Sequence, residues 1–166
     1  PATLLNGVVL RIRAEHKITR GRAAILKAYY LKNPHPDVPK EVLQVSLNPD
    51  CHDPAYVLGR LFSVLEAIQS AANPDINATI VDKYLNSASA TPSRIFPMLM
   101  NLARKHLRKL ETGKKVFYDK QLTALLGLLE DSYPDRLSLP QQGSFQLGYY
   151  HQTQARYQKK EEKKDV

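Results

Sequence analysis

With 166 residues, 43% of them hydrophobic, the chain is long enough to close one domain of ordinary size around its own core. Lys and Arg outnumber Asp and Glu by 24 to 16, a formal net charge of +8 with a pI near 9.6, which points to a polyanionic partner. No apolar run approaches the roughly 18 residues of a membrane span, Arg11 and Arg13 interrupt any secretory leader early, and Cys51, the single cysteine, excludes an internal disulfide or a zinc site with two thiolates. These features describe a cytoplasmic protein with no membrane partner. Pro1 without a preceding Met points to Met removal or to a piece of a longer chain.

At the N-terminus, Leu5, Val8, Val9 and Ile12 recur at helical spacing. Thr19 then caps a second helix through Ala23, Ile25, Leu26, Tyr29 and Tyr30 that fades at Asn33, completing a basic helical hairpin. Residues 33–53 contain Pro34, Pro36, Pro39 and Pro49, a poor helix and a good linker. The boundary falls near Leu47. The chain divides into a hairpin and linker at 1–47, a helical bundle at 48–158 and a charged, disordered tail at 159–166.

Asp53 predicts the cap of a long helix that reaches Asn73, with Pro54 in the first position and Tyr56, Leu58, Leu61, Phe62, Leu65 and Ile68 on its apolar face. A shorter helix spans 79–88. Thr91 then reads as an N-cap with Pro92 at N1, and Ile95, Met98, Leu99, Leu102, His106 and Leu110 make a core-facing stripe roughly 120° wide over 92–110. Gly113 predicts a left-handed stop, and Val116, Leu122, Leu125, Leu126 and Leu129 the helix after it. Ser138 and Gln141 form a capping box for a last helix through Phe145, Leu147, Tyr149 and Tyr150. No segment sustains strand alternation. The expected class is all-α, an antiparallel helical bundle preceded by a helical hairpin.

The charge is concentrated. Residues 94–120 hold eight Lys and Arg against two acids, whereas 41–93 hold two against six. Arg94, Arg104, Lys105, Arg108 and Lys109 lie off the apolar stripe, and no carboxylate occurs between Asp82 and Glu111 to neutralise them by i,i+4 pairing. A row of this kind is ordinarily a solvated helix face; five cations without one acid make it a candidate footprint for a polyanion. The small residues Ser87, Ala88, Ser89 and Ala90 read as a close-packing site, Asn77 as a cap, His106 as a satisfied core histidine and Gly148 as a point of close helix approach. His151 has no assignment.

Nothing demands catalysis. Asp50, Cys51, His52 and Asp53 are consecutive, so their side chains diverge instead of converging on one ion, and there is no H-x-x-x-H pair, P-loop or G-x-S-x-G turn. The expectation is a non-enzymatic protein without a cofactor or metal.

Four blocks in order, LLNGVVLRIRAEHKITRGRAAILKAYYLKN, AYVLGRLFSVLEAIQ, NATIVDKYLNSASATPSRIFPMLMNLARKHL and LSLPQQGSFQLGYYHQ, closely resemble the C-terminal region of the large subunit of the type I-C CRISPR surveillance complex, Cascade. In that family the C-terminal helical domain also occurs as a separately translated small subunit. The resemblance implies a non-catalytic domain of an RNA-guided complex whose partners are CRISPR RNA, target DNA, the Cascade backbone subunits and further small-subunit copies. The N-terminal part of the large subunit, which would read the motif flanking the target, does not occur in this chain. In such an assembly base pairing reads sequence while protein contacts to the backbone tip a nearly balanced strand exchange. The expected phosphate contacts are Lys83, Arg94, Arg104, Lys105, Arg108, Lys114 and Lys115. Two alternatives stand beside this reading: a purely structural scaffold within the complex, and a stand-alone basic helical nucleic-acid-binding protein.

Overall fold

The computed structural model describes residues 46–129 and 132–162, with side chains to Tyr157, and six positions between 25 and 36. Within the described residues the fold is all-α, with five helices: α1 Pro54–Ala72, α2 Ile80–Ala90, α3 Pro92–Leu107, α4 Thr112–Leu126 and α5 Leu139–Glu162. The hairpin and linker expected at 1–47 fall largely outside them. Ile25, Ala28, Tyr29 and Lys32 are helical, and the Asn33 amide donates to the Tyr29 carbonyl at 2.8 Å. The last helix runs to Glu162, so regular structure continues into the segment expected to be a disordered tail.

α1 begins as its sequence dictates. Asp53 accepts a hydrogen bond from the Tyr56 amide at 2.7 Å, and Pro54 occupies a position where no amide hydrogen is needed. Its expected apolar face is buried, and so are Gly59, Arg60 and Ser63, because α2, α3, α4 and α5 all pack against this helix. A helix enclosed all round is the axis of the bundle. Phe62 marks the centre, edge-on to Phe96, Phe145 and Tyr149 at 5.9–6.5 Å between ring centroids.

The pairing of α1 with α5 depends on two glycines. A Cβ on Gly59 would collide with the Phe145 carbonyl, and one on Gly148 with the Tyr56 carbonyl, so the two backbones touch where neither carries a side chain. Tyr56 meets His151, Arg60 meets Gln152, Ser63 meets Thr153 and Glu66 meets Arg156. The partners advance together along both helices, which therefore run parallel, as the first and last members of a five-helix up-down succession do.

At α2, the Thr79 amide and hydroxyl both donate to Asp82 Oδ2, at 2.9 and 3.0 Å, and the Ile80 amide donates to Gln69 Oε1 at 2.9 Å, tying the helix start to α1. Ser138 and Gln141 close the expected capping box ahead of α5: the Ser138 amide donates to Gln141 Oε1 at 2.9 Å and the Gln141 amide to Ser138 Oγ at 3.4 Å.

Three local expectations are corrected. Thr91 precedes α3, but its hydroxyl donates backward to the Ser87 carbonyl at 3.1 Å instead of capping forward. The exposed α3 amide of Ser93 is satisfied by the Pro134 carbonyl at 3.1 Å. Gly113 is no left-handed stop: no described residue has positive φ, and after Arg108 the chain turns through Lys109 and Leu110 on hydrogen bonds to the carbonyls three residues back, leaving Gly113 inside the first turn of α4. Val116, expected in the core, is 47% exposed, and α4 is anchored by Leu122 and Leu125 in its second half.

Candidate nucleic-acid interface

The orientation of α3 fixes which way its cations point. Its buried residues are Pro92, Phe96, Leu99, Ala103 and Leu107, of which only Leu99 belongs to the expected stripe; Ile95, Leu102, His106 and Leu110 are half-buried and Met98 is 41% exposed. The period is correct and the phase is turned by about 80° at 100° per residue. Phe96 sets the turn. It stacks on Tyr133 at 5.3 Å and meets Phe62 and Phe145 edge-on, contacts that outweigh the burial available to Met98. Pro92 and Ala103 carry little hydrophobic weight in a sequence pattern, yet both are buried.

With that phase, Arg94 and Lys105 point directly away from the core, separated along the axis by about 16 Å at 1.5 Å per residue. Arg108 lies close to the same line. Arg104 lies toward one flank, where its charge acts on the Tyr133 phenol, opposing the upward push that burial gives that group. A four-residue corner separates α3 from α4, whose first turn carries the exposed Lys114 and Lys115. Lys83 is exposed on α2, separate from this corner.

All seven expected contacts are exposed, and among the described residues none of their side chains donates a hydrogen bond or forms an ion pair. Lys109, also part of the basic row, is different: its ammonium donates to Asn73 Oδ1 at 3.3 Å at the end of α1. The same Asn73 amide group contacts His106 Nδ1 at 3.0 Å. Burial, then the neighbouring Lys109, hold the His106 imidazole below its usual range, and its Nε2 is buried without a hydrogen-bond partner among the described residues, so the expected core histidine is only half satisfied.

The two ends of this surface differ in their helix electrostatics. Arg104 and Lys105 sit in the last turn of α3, where cations complement the carbonyl end of the macrodipole. Lys114 and Lys115 sit at the amide end of α4, where the dipole opposes them, and no acid occupies that turn. Two lysines kept at the unfavourable end make the corner strongly positive without contributing to helix stability.

Sequence reasoning missed a second set of polar residues, the seam between α1 and α5. The Asn48 amide donates to the Tyr56 hydroxyl at 3.3 Å, which leaves the phenol proton for His151 Nδ1 at 2.8 Å. Arg60 donates to Gln152 Oε1 and to the carbonyls of Asn48 and Pro49, clamping the segment ahead of α1 onto the bundle. Ser63 pairs with Thr153 at 2.8 Å, and Glu66 accepts from the Tyr149 hydroxyl at 2.9 Å with Arg156 at 3.9 Å. Burial raises the Glu66 carboxyl, countered by Arg156 and the Tyr149 hydrogen bond. Burial also raises Tyr149 strongly, and Glu66 adds to that shift. These are matched interhelical partners, not a reactive constellation. The 3–4 spacing of Tyr56, Arg60, Ser63 and Glu66 is the available signal, and apolar periodicity gives it no weight.

Among the described residues no group of three or more His, Cys, Asp and Glu gathers to hold a metal ion, and Cys51 is buried with Tyr56 and Leu147. No helix among them is long and apolar enough to cross a membrane. Ser87 and Ser89 turn their hydroxyls to carbonyls of α2 and Ala88 is buried, in keeping with their packing reading. The model of a family described as CRISPR-associated protein (Cas_Csd1) matches residues 1–157. No curated protein matches the chain.

Proposed function

The chain belongs to the CRISPR-associated Cas_Csd1 family, and from that premise we propose that it is a non-catalytic domain of a type I-C Cascade large subunit, one that holds nucleic-acid backbone and stabilises the R-loop. In this reading the bundle occupies 48–158 and works alongside CRISPR RNA, target DNA and the backbone subunits of the complex. Lys83, Arg94, Arg104, Lys105, Arg108, Lys114 and Lys115 contact phosphates, with the corner between α3 and α4 at the centre.

The observation that carries the proposal is the set of exposed, unpaired cations along the side of α3 opposite the core and around the corner into α4. A chain stabilising itself by surface charge would alternate signs and pair them. This one leaves the row open, and phosphate contacts made through long Lys and Arg side chains carry no sequence information. That suits a subunit whose partner RNA does the reading.

The test is Arg104→Ala, Lys105→Ala and Arg108→Ala combined. Folding and assembly should persist, target binding should weaken equally for unrelated guides, and the slope of log K against log salt should flatten by about 0.7–0.9 per lost contact. An unchanged slope with normal R-loop stability would reject phosphate contact. Failed assembly would instead assign these cations to protein or CRISPR RNA contacts.

A further inference from the structure

α4 has a feature that backbone binding does not use. Lys114, Phe117, Tyr118 and Gln121 follow i, i+3, i+4, i+7 spacing and form one stripe, yet Phe117 is 57% exposed, an unusual position for a phenylalanine one turn from a lysine. Phe117, Tyr118 and Gln121 of this stripe line a partly open cavity of about 140 Å³, whose other walls include Val64 and Ala67 of α1 and Arg156 of α5. Phe117 and Tyr118 meet edge-on at 5.3 Å, giving the cavity an aromatic wall. Gln121 opens into it with no hydrogen-bond partner for its carboxamide among the described residues. Arg156 is already engaged by Glu66 and lies 5.2 Å from the Tyr157 ring centroid. Lys114 precedes Phe117 by one helical turn on the same stripe, about 4.5 Å along the axis, and its ammonium has no hydrogen-bond or ion-pair partner among the described residues.

We infer that this cavity takes one unpaired pyrimidine base of a single strand, stacked on Phe117, with Gln121 meeting the base edge and Lys114 the adjoining phosphate. A cavity of this size admits one six-membered aromatic ring, the whole ring system of a pyrimidine. Stacking against an exposed aromatic beside a cation is the general means of holding single strands, and an amide carries the donor and acceptor that a pyrimidine edge requires. A duplex offers its bases to each other and cannot fill the cavity. The inference rests on the phosphate-binding reading above and extends it from backbone to base.

Filter binding of the full chain to a short oligothymidylate, and to an abasic strand of the same length and backbone, separates the two ideas. The thymidylate should bind roughly tenfold more tightly, the order expected for one stacked base. Phe117→Ala should bring that ratio close to one while leaving the salt slope in place. Ala155→Leu, which fills the cavity from α5, should do the same by occlusion and keeps the test valid if the first variant folds poorly. Lys114→Ala should lower affinity for both strands and flatten the salt slope while preserving the preference for bases. Equal affinity for the two strands, with a normal salt slope, would overturn the base pocket and leave phosphate binding standing. No salt-dependent binding of either strand would overturn both.

Discussion

At the scale of single residues, three glycines show that one substitution can have opposite signs. In a helix interior, Gly→Ala is favourable by up to about 1 kcal/mol from backbone propensity alone. Gly113 lies in the first turn of α4 with nothing within 4 Å of a Cβ, so Gly113→Ala should raise stability by up to that amount. Gly59 and Gly148 face backbone carbonyls across the α1–α5 contact, and backbone cannot rotate aside as a side chain can. Relief requires separating the helices, and overpacking of this kind costs typically 1–3 kcal/mol or more. Gly59→Ala and Gly148→Ala should therefore both destabilise, and the bonds from Tyr56 to His151 and from Ser63 to Thr153 should lengthen with them. Urea denaturation of the three variants checks the signs; stabilisation by either core substitution would mean the helices do not meet at the glycines.

At the scale of elements, α3 shows what a sequence pattern can and cannot establish. Its existence, its start at Thr91-Pro92 and its one-sided charge were all legible from spacing; its rotation was not. A pattern weights residues by hydrophobicity, and Ile95, Met98 and Leu102 draw the apparent face toward themselves. The fold weights them by what waits opposite, which is the aromatic cluster of Phe62, Tyr133 and Phe145 receiving Phe96. The caps of α1 and α5 were legible because capping chemistry is local: Asp53 with Tyr56, and Ser138 with Gln141, meet within four residues. The α1–α5 seam joins residues more than 80 positions apart and leaves no such mark. The candidate phosphate contacts were legible as charge without counter-charge, whereas the cavity beside Phe117 depends on three helices meeting. Side-chain truncation tests the rotation directly. Phe96→Ala should cost about 3–5 kcal/mol and Leu99→Ala about 2–5, both being fully buried. Met98→Ala should stay within about 0.5 kcal/mol. Leu102→Ala, half-buried, should fall between them. If Met98→Ala proved as costly as Phe96→Ala, α3 would have to turn Met98 into the core and Phe96 out of it.

At the scale of the whole molecule, the charge that favours a polyanion works against the free fold. A net charge of +8 over 166 residues, with six cations from Arg104 to Lys115 facing one acid, imposes self-repulsion that the folded state bears and the expanded chain relieves. Added salt shortens the Debye length from about 30 Å at 0.01 M to about 8 Å at 0.15 M, so it screens that repulsion across the corner between α3 and α4. The melting temperature of the free chain should therefore rise with salt over that range. A bound strand reverses the sign. Binding at about 100 times Kd adds roughly 2.7 kcal/mol to folding stability, about 5–11 °C in Tm for a domain of this size, and salt removes that gain by weakening phosphate contacts. Thermal melts in a salt series, with and without a short single strand, should thus show slopes of opposite sign that converge at high salt. The Arg104→Ala, Lys105→Ala, Arg108→Ala combination should flatten both, because it removes the repulsion and the contacts together. A free chain whose Tm falls with salt would mean that its cations are held in attractive pairs, and the basic surface would then be structural instead of a surface kept open for a partner.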